Sequence, residues 1–161
     1  MVYDQLPSLY KCSQGGGRIV LESEYVYRTK PRFIDIDAYG IMHHSKYFSL
    51  LEEARFGYIT DVLKFELEDF MTKGVLFPVL NVSGKYYKSI TYGDEISIHM
   101  KVQFHEEGKI TFNYILYNQY EEKLFVSQVI VGYIEERTRR LLLTPPAWLF
   151  DRIKEVFLTM E

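Results

Sequence analysis

One short stretch, FIDIDAYGIMHHSKYFSLLEEARFGYI over residues 33–59, gathers side chains that could do acid–base chemistry. Asp35 and Asp37 are separated by one residue, and the adjacent pair His43 and His44 follows. In an extended segment alternate side chains point to opposite sides, so at most one of the two carboxylates faces a given site. Such a carboxylate could serve as a general base or as a nucleophile.

The same stretch turns from an extended segment into a helix. Gly40 permits the sharp turn, and His43, His44 and Ser45 fall where the first backbone N–H groups of the helix have no partner inside it. Unpaired N–H groups and the positive end of the helix dipole stabilise a developing oxyanion. Ser45 is also a good N-cap residue, and a cap there would move the usable donors beyond His44.

The aspartates and histidines also have purely structural interpretations. Asp37 fits a turn before Gly40, because Asp is favoured in turns for its local backbone hydrogen bonds. We interpret Asp35 as a solvated or turn-stabilising carboxylate. His43 and His44 are a poor zinc pair, since adjacent residues rarely aim at one ion, so we expect no metal.

Hydrophobic periodicity places this stretch between a strand and one long helix. A first strand is predicted over residues 19–33, interrupted near Pro31. Beyond the histidines, apolar residues recur at three- and four-residue spacing and predict one buried helix face, formed by Tyr47, Leu50, Leu51, Ala54, Tyr58 and Val62. A short helix over residues 67–73 ends at Gly74.

After Val75 the apolar period changes from 3.6 to 2, which predicts half-buried antiparallel strands around residues 80–86, 95–104, 110–116 and 123–134. The turns between them leave no room for a crossover helix. A terminal helix follows the double proline, over AWLFDRIKEVFL. This order predicts an α+β fold in which a curved antiparallel sheet encloses the long helix. Residues 1–18, with three consecutive glycines, are predicted to be a flexible arm, and residues 19–161 a single domain.

Composition narrows the function classes. The 161 residues carry 19 Lys and Arg against 22 Asp and Glu, a net charge of -3, and no long basic run, so we expect no nucleic-acid partner. No apolar run approaches the roughly 20 residues that a membrane span needs. The single cysteine, Cys12, can close no intrachain disulfide, which favours a reducing cytoplasm.

The motif around the aspartates resembles that of hot-dog fold acyl-CoA thioesterases of the 4-hydroxybenzoyl-CoA thioesterase type. The similarity rests on D-x-D-A-x-G, on the following histidine and tyrosine and on E-x-A-R, formed here by Asp35, Asp37, Ala38, Gly40, His44, Tyr47, Glu52, Ala54 and Arg55. It extends from about residue 28 to residue 134 and includes Y-G-D-E at residues 92–95. The resemblance implies a long central helix wrapped by the sheet, a homodimer joined edge to edge or a homotetramer, and active sites at the subunit interface.

The resemblance also implies roles for individual residues. Asp37 would be the catalytic carboxylate, and the backbone N–H of His44 would polarise the thioester carbonyl. We expect the substrate to contact the neighbouring positions, which are Gly40, Ile41, His43 and Tyr47. The sequence departs from many relatives at Lys46, where they carry Asn.

Two glutamates on the helix are alternative acids, because some hot-dog thioesterases place their carboxylate there. Glu52 or Glu53 could replace or assist Asp37, although a solvated face or an ion pair with Arg55 would also explain them.

The expected activity is hydrolysis of a fatty or aromatic acyl thioester, carried by coenzyme A or by acyl carrier protein. A thioester carbonyl is already electrophilic, so one carboxylate and oxyanion donors suffice, with no cofactor beyond the coenzyme A of the substrate. Two alternatives remain. One is a hydratase or dehydratase using Asp37 and His43, although AYGIM stands where the hydratase pattern has Asn-Pro. The other is a non-catalytic dimer that binds acyl thioesters.

Overall fold

The computed structural model of the protein describes residues 9–14 and 18–158. In chain order the elements are β1 (Leu9–Gln14), β2 (Arg18–Thr29), a 3-10 turn (Phe33–Asp35), α1 (Lys46–Asp61), α2 (Leu67–Met71), β3 (Val75–Leu76), β4 (Val79–Tyr86), β5 (Ile96–His105), β6 (Lys109–Tyr117), β7 (Lys123–Gly132), β8 (Ile134–Glu135) and α3 (Ala147–Leu158). Six strands form a curved antiparallel sheet in the order β1-β2-β5-β6-β7-β4, and β3 pairs with β8. The predicted α+β class is confirmed.

Strict alternation in the sequence produces a sheet with one buried face. Every second residue of β5, from Ile96 to Phe104, is at most 4% exposed, while the residues between them face outward. β6 and β7 pair with each other and contribute inward-facing residues such as Tyr114 and Val129 to the same core. The period-2 pattern therefore positions the inner face of the sheet correctly.

The 16-residue helix α1 packs its predicted apolar stripe into this core. Polar side chains join the helix to inward-facing positions of the sheet. The Tyr58 hydroxyl is hydrogen-bonded to Ser23 Oγ at 2.5 Å, and Arg55 Nη1 donates to the Tyr114 hydroxyl at 3.2 Å. The contacts hold α1 against strands that lie far from it in the sequence.

β4 is an edge strand that differs from its prediction. It pairs with β7 on one side, and no strand within residues 9–14 and 18–158 pairs with its other side. The sequence predicted a half-buried strand, yet all eight residues of β4 are exposed. Val79, Leu80 and Val82 are each about half exposed, at 50%, 52% and 48%. Apolar alternation identified the strand, but it could not show that this chain leaves the strand uncovered.

Other boundaries also differ from the predictions. Within the predicted arm of residues 1–18, Leu9–Gln14 forms β1 and pairs with β2; residues 1–8 and 15–17 lie outside the described residues. The first strand ends at Thr29, before Pro31, and the chain then makes a 3-10 turn instead of continuing to residue 33. The β3–β8 ladder was not predicted. Among the described residues, no helix is long and apolar enough to cross a membrane.

Candidate active site

The loop that carries Asp37 is closed by backbone hydrogen bonds. The Asp37 N–H donates to the Ile41 carbonyl at 2.8 Å, and the Gly40 N–H donates to the Asp37 carbonyl at 3.0 Å. Ile36 and Met42 form an antiparallel bridge across the loop. Gly40 has φ +77°, a conformation that glycine adopts without steric cost. The loop is therefore a tight turn that holds Asp37 in one position.

The two oxygens of the Asp37 carboxylate have different surroundings. Oδ1 accepts the Tyr39 N–H at 2.8 Å, which is the local turn bond expected of Asp. Oδ2 has no hydrogen-bond partner among the residues that the structure describes. Oδ1 thus anchors the half-buried side chain, and Oδ2 is left free of protein hydrogen bonds among the described residues.

Asp35 has a structural role, and its position corrects part of the sequence interpretation. It lies in the 3-10 turn, so the assumed extended segment is absent there, and it is only 1% exposed instead of solvated. Arg32 donates to both carboxylate oxygens, at 2.9 and 3.1 Å, and these bonds hold the pKa of Asp35 below its ordinary value despite burial. The Asp35 carbonyl accepts the His43 N–H at 2.9 Å. Asp35 therefore stabilises the turn and fixes the chain before the helix.

The start of α1 keeps an unpaired donor. Ser45 occupies the N-cap position, but its hydroxyl makes no capping bond, because it is hydrogen-bonded to His43 Nδ1 at 2.8 Å. The Lys46 N–H donates to the His43 carbonyl at 2.9 Å. Within the described part of the chain the His44 N–H has no partner, while the His44 carbonyl accepts the Tyr86 hydroxyl at 3.0 Å. Ser45 therefore does not cap α1, and the alternative in which the usable N–H donors begin beyond His44 is not observed.

A cavity of about 340 Å³ brings several of the predicted residues together. Asp37, Ile41, His44 and Tyr47 line it, with Met42, Tyr86, Tyr87, Lys88 and Ser89. Gly40 and His43 are not among its lining residues; both are exposed, and His43 is bonded to Ser45 instead of approaching Asp37. The residue pair of the hydratase alternative is thus not brought together in this cavity.

Tyr47 contributes its ring to the cavity wall. The side chain is 3% exposed, its hydroxyl accepts the Ile90 N–H at 3.2 Å, and burial raises the pKa of the phenol. The ring contacts Tyr86 and Phe125 at centroid separations of 4.9 and 5.0 Å. Tyr47 therefore joins the site to the core.

Sequence reasoning missed the far wall of the cavity. Tyr86 ends β4, and Lys88 follows it, with Nζ 2.6 Å from Glu122 Oε1. Both lie about fifty residues after Asp37, and only the folding of β4 alongside α1 brings them near it. The apolar alternation of β4 was the only available signal, and it carries no information about which loop the strand end meets.

The alternative acids lie elsewhere. Glu52 is exposed and faces a second cavity, described below, and Glu53 lines neither cavity. In the described residues Arg55 forms an ion pair with neither glutamate and donates instead to the Tyr114 hydroxyl, so the ion-pair interpretation is wrong. Glu53 lies near enough to Arg32 to help raise the pKa of that guanidinium, after the larger effects of Asp35.

Residues 9–14 and 18–158 contain no group of three or more His, Cys, Asp or Glu side chains that could hold a metal ion.

Comparison with known proteins places the chain in a family. The thioesterase-like superfamily matches residues 31–153. A protein of Aquifex aeolicus (strain VF5) named "Putative esterase" is 32% identical over 95 residues, which are 59% of this chain and 73% of that protein. A Bacillus subtilis (strain 168) protein named "Putative acyl-CoA thioesterase" is 32% identical over 87 residues, 54% of this chain and 62% of its own length.

Solved structures share the fold. The DHNA-CoA thioesterase of Staphylococcus aureus superposes with a TM-score of 0.71 at 21% identity, covering 86% of this chain and 95% of that one. The family match spans the Asp37 loop, α1 and the strands from β3 to β8, and so includes every residue that lines the cavity. The resemblance found in the sequence is confirmed. The chain therefore belongs to the thioesterase-like superfamily and is an enzyme of the thioester hydrolase class.

Proposed function

We propose that this thioester hydrolase cleaves an acyl-CoA thioester to the free acid and coenzyme A, with Asp37 as the catalytic carboxylate. One observation carries the assignment. Asp37, with an uncommitted Oδ2, and His44, with an unpaired backbone N–H, line the same cavity. The B. subtilis relative is named for this activity, which supports the proposal.

The chemistry needs only these two groups. With the thioester carbonyl oxygen against the His44 N–H, negative charge that develops on that oxygen meets an oriented donor and the positive end of the α1 dipole. Asp37 either removes a proton from the attacking water or attacks the carbonyl carbon itself. When water attacks, its oxygen forms the C–O bond of the free acid, the C–S bond breaks, and the thiolate leaves and takes up a proton. When Asp37 attacks, the same C–S cleavage leaves a mixed anhydride on Asp37, and a water then hydrolyses the anhydride to release the free acid and restore the carboxylate.

Coenzyme A enters this scheme as part of the substrate, and the proposal requires no metal or cofactor. Acyl carrier protein presents the same pantetheine arm, so it remains an alternative carrier. The lone Cys12 is the basis for proposing a reducing, cytoplasmic location.

We also propose the full hot-dog arrangement, with α1 as the central helix and two copies joined through β4. An uncovered edge strand with unpaired N–H and C=O groups is a template for pairing with another chain. β4 combines such an edge with exposed apolar side chains, Val79, Leu80 and Val82 among them. Edge-to-edge pairing of two β4 strands would cover these residues and place a second subunit beside Tyr86 and the cavity. Dimers of this kind could pair again into a homotetramer.

The test of the activity is thiol release from a panel of acyl-CoAs, comparing wild type with Asp37→Asn. Removal of a general base or nucleophile is expected to lower kcat by about 10²- to 10⁴-fold. Asp151→Asn is the matched control, because Asp151 is exposed on α3 and lies outside both cavities. Activity retained in Asp37→Asn would transfer the role to Glu52 or Glu53. Thioester binding without thiol release by wild type would indicate the non-catalytic alternative.

A further inference from the structure

A second cavity, of about 130 Å³, lies between α1 and the inner face of the sheet. Its walls are almost entirely apolar and include Phe56, Ile59, Phe70, Phe77, Phe112 and Val131. An apolar cavity of about 150 Å³ stays dry and takes up benzene, so a space of this size and character suits a hydrocarbon group of about six carbons.

This cavity and the candidate active site share no lining residue, but both lie along the flank of α1 beside β4, which runs antiparallel to the helix. At the start of the helix, the Tyr86 hydroxyl donates to the His44 carbonyl. Further along, a Cβ placed on Gly84 would lie 3.5 Å from Phe48 Cζ. At the other end of the strand, Val79 lines the second cavity. The rings of Phe48 and Phe125 pack beside Gly84 and occupy the flank of α1 between the two cavities, so an acyl chain reaches the second cavity by displacing the half-buried Phe48 ring.

The helix sets the length of this path. Glu52 and Phe56, which line the second cavity, are 8 and 12 residues beyond His44. At a rise of 1.5 Å per residue these positions are roughly 12 and 18 Å from the oxyanion donor. An extended hydrocarbon chain advances about 1.3 Å per carbon, given C–C bonds of about 1.5 Å. A chain that starts at the thioester carbonyl and passes Phe48 is therefore long enough to fill the cavity at about ten to fourteen carbons.

The charged residues at the cavity do not provide a site for a polar acyl end. Arg55 donates to the Tyr114 hydroxyl at 3.2 Å, and its guanidinium lies 5.8 Å from the centre of the Phe112 ring. Glu52 is acidic and would repel a carboxylate. An uncharged hydrocarbon end is therefore the matching chemistry, and an aromatic acyl group such as benzoyl is too short to reach it.

We propose that this cavity binds the distal end of a straight-chain acyl group, so that the enzyme prefers acyl thioesters of about ten to fourteen carbons. The inference rests on the proposed function, because it takes the thioester carbonyl to lie between Asp37 and His44. Ile59, Phe56 and their neighbours then set the chain length.

The test compares kcat/KM for butanoyl-CoA, benzoyl-CoA and dodecanoyl-CoA. Wild type is expected to prefer dodecanoyl-CoA at least tenfold over the other two, since each buried methylene contributes about fourfold. Ile59→Trp fills the cavity and is expected to lower kcat/KM for dodecanoyl-CoA at least tenfold while butanoyl-CoA changes less than twofold. Phe56→Ala, at a 39% exposed lining position, should shift the optimum to longer chains. Leu143→Trp is the matched control, because Leu143 is 75% exposed and outside the cavity.

A flat chain-length profile in wild type, or an equal loss for both straight chains in Ile59→Trp, would overturn the inference while leaving the hydrolase intact. If wild type released thiol from none of the thioesters, the proposed function would fail separately. Calorimetric titration with dodecanoate and butanoate then tests whether the cavity binds a hydrocarbon chain. If wild type binds dodecanoate and Ile59→Trp does not, the proposed chain-binding role of the cavity is supported. If wild type does not bind dodecanoate, that role is rejected.

Discussion

Replacing Gly84 by alanine is expected to destabilise the protein, because the space for a Cβ is occupied. An ideal Cβ at this position would lie 2.5 Å from Phe125 Cζ and 2.9 Å from Phe125 Cε2. The ring cannot easily move away. Phe125 is fully buried, and the rings of Tyr47, Phe48 and Tyr86 surround it at centroid separations of 5.0, 5.8 and 4.7 Å.

The size of the effect follows from two opposing contributions. Overpacking of a well-packed core costs about 1–3 kcal/mol. Against this, replacing glycine reduces the conformational entropy of the unfolded chain, which stabilises by about 0.4–1 kcal/mol. The net loss in the free energy of unfolding is therefore about 1–2 kcal/mol. In a domain of this size, each kcal/mol shifts Tm by about 2–4 °C, so the expected decrease is about 2–8 °C.

The measurement is thermal unfolding by circular dichroism, with urea titration to give the free energy of unfolding. Gly93→Ala is the control, because a Cβ at Gly93 meets nothing within 4 Å and Gly93 has no positive φ. It should melt within about 1 °C of wild type. Since Phe125 supports Tyr47 and Tyr86 in the cavity wall, Gly84→Ala should also lose activity. A Gly84→Ala protein as stable as Gly93→Ala would refute the packing argument.

Three further changes test buried polar groups. Arg32 holds the pKa of Asp35 below its ordinary value near 3.8, so the stability this carboxylate contributes is present above that value and is lost as pH falls further. Asp35→Asn should thus be less stable than wild type at pH 7, and the difference in the free energy of unfolding should narrow below about pH 4. Urea titrations of both proteins at several pH values measure this difference, and a difference that does not change with pH would contradict the argument. Ser23→Ala leaves the buried Tyr58 hydroxyl unpaired and should lower the free energy of unfolding by about 1–3 kcal/mol. Adding Tyr58→Phe to this variant removes the unpaired hydroxyl and should restore most of the lost stability. The buried Tyr133 hydroxyl has no hydrogen-bond partner in the described part of the chain, so Tyr133→Phe should stabilise by about 1 kcal/mol; a loss of stability would reveal a missed partner.

The sequence predicted the elements whose hydrophobic period is long and regular. β5 alternates over ten residues, and α1 carries its stripe over four turns, so both were placed within a residue or two. β1 was missed because LYKCSQ shows no apolar alternation, and its strand conformation depends on pairing with β2. The two-residue strands β3 and β8 are too short to leave any period.

The site was predictable only where it is local in the sequence. Asp37, Ile41 and His44 come from one turn and the adjoining helix start, so their proximity follows from the motif. Burial of Asp35 was not predicted, because its 3-10 turn and its bonds to Arg32 depend on geometry that alternate spacing does not reveal.

The hydrogen bond between Ser45 and His43 makes the start of α1 a point of local energetic frustration. A serine cap normally contributes about 1 kcal/mol to helix stability, and here the hydroxyl is engaged elsewhere while an N–H at the helix start stays unsatisfied. A Ser45 hydroxyl released from His43 would cap the N–H of Tyr47 or Phe48 and leave the His44 N–H, the oxyanion donor of the proposed function, unpaired. Selection for thermal tolerance alone should therefore favour substitutions at His43 that release Ser45, and these stabilise the helix without consuming that donor.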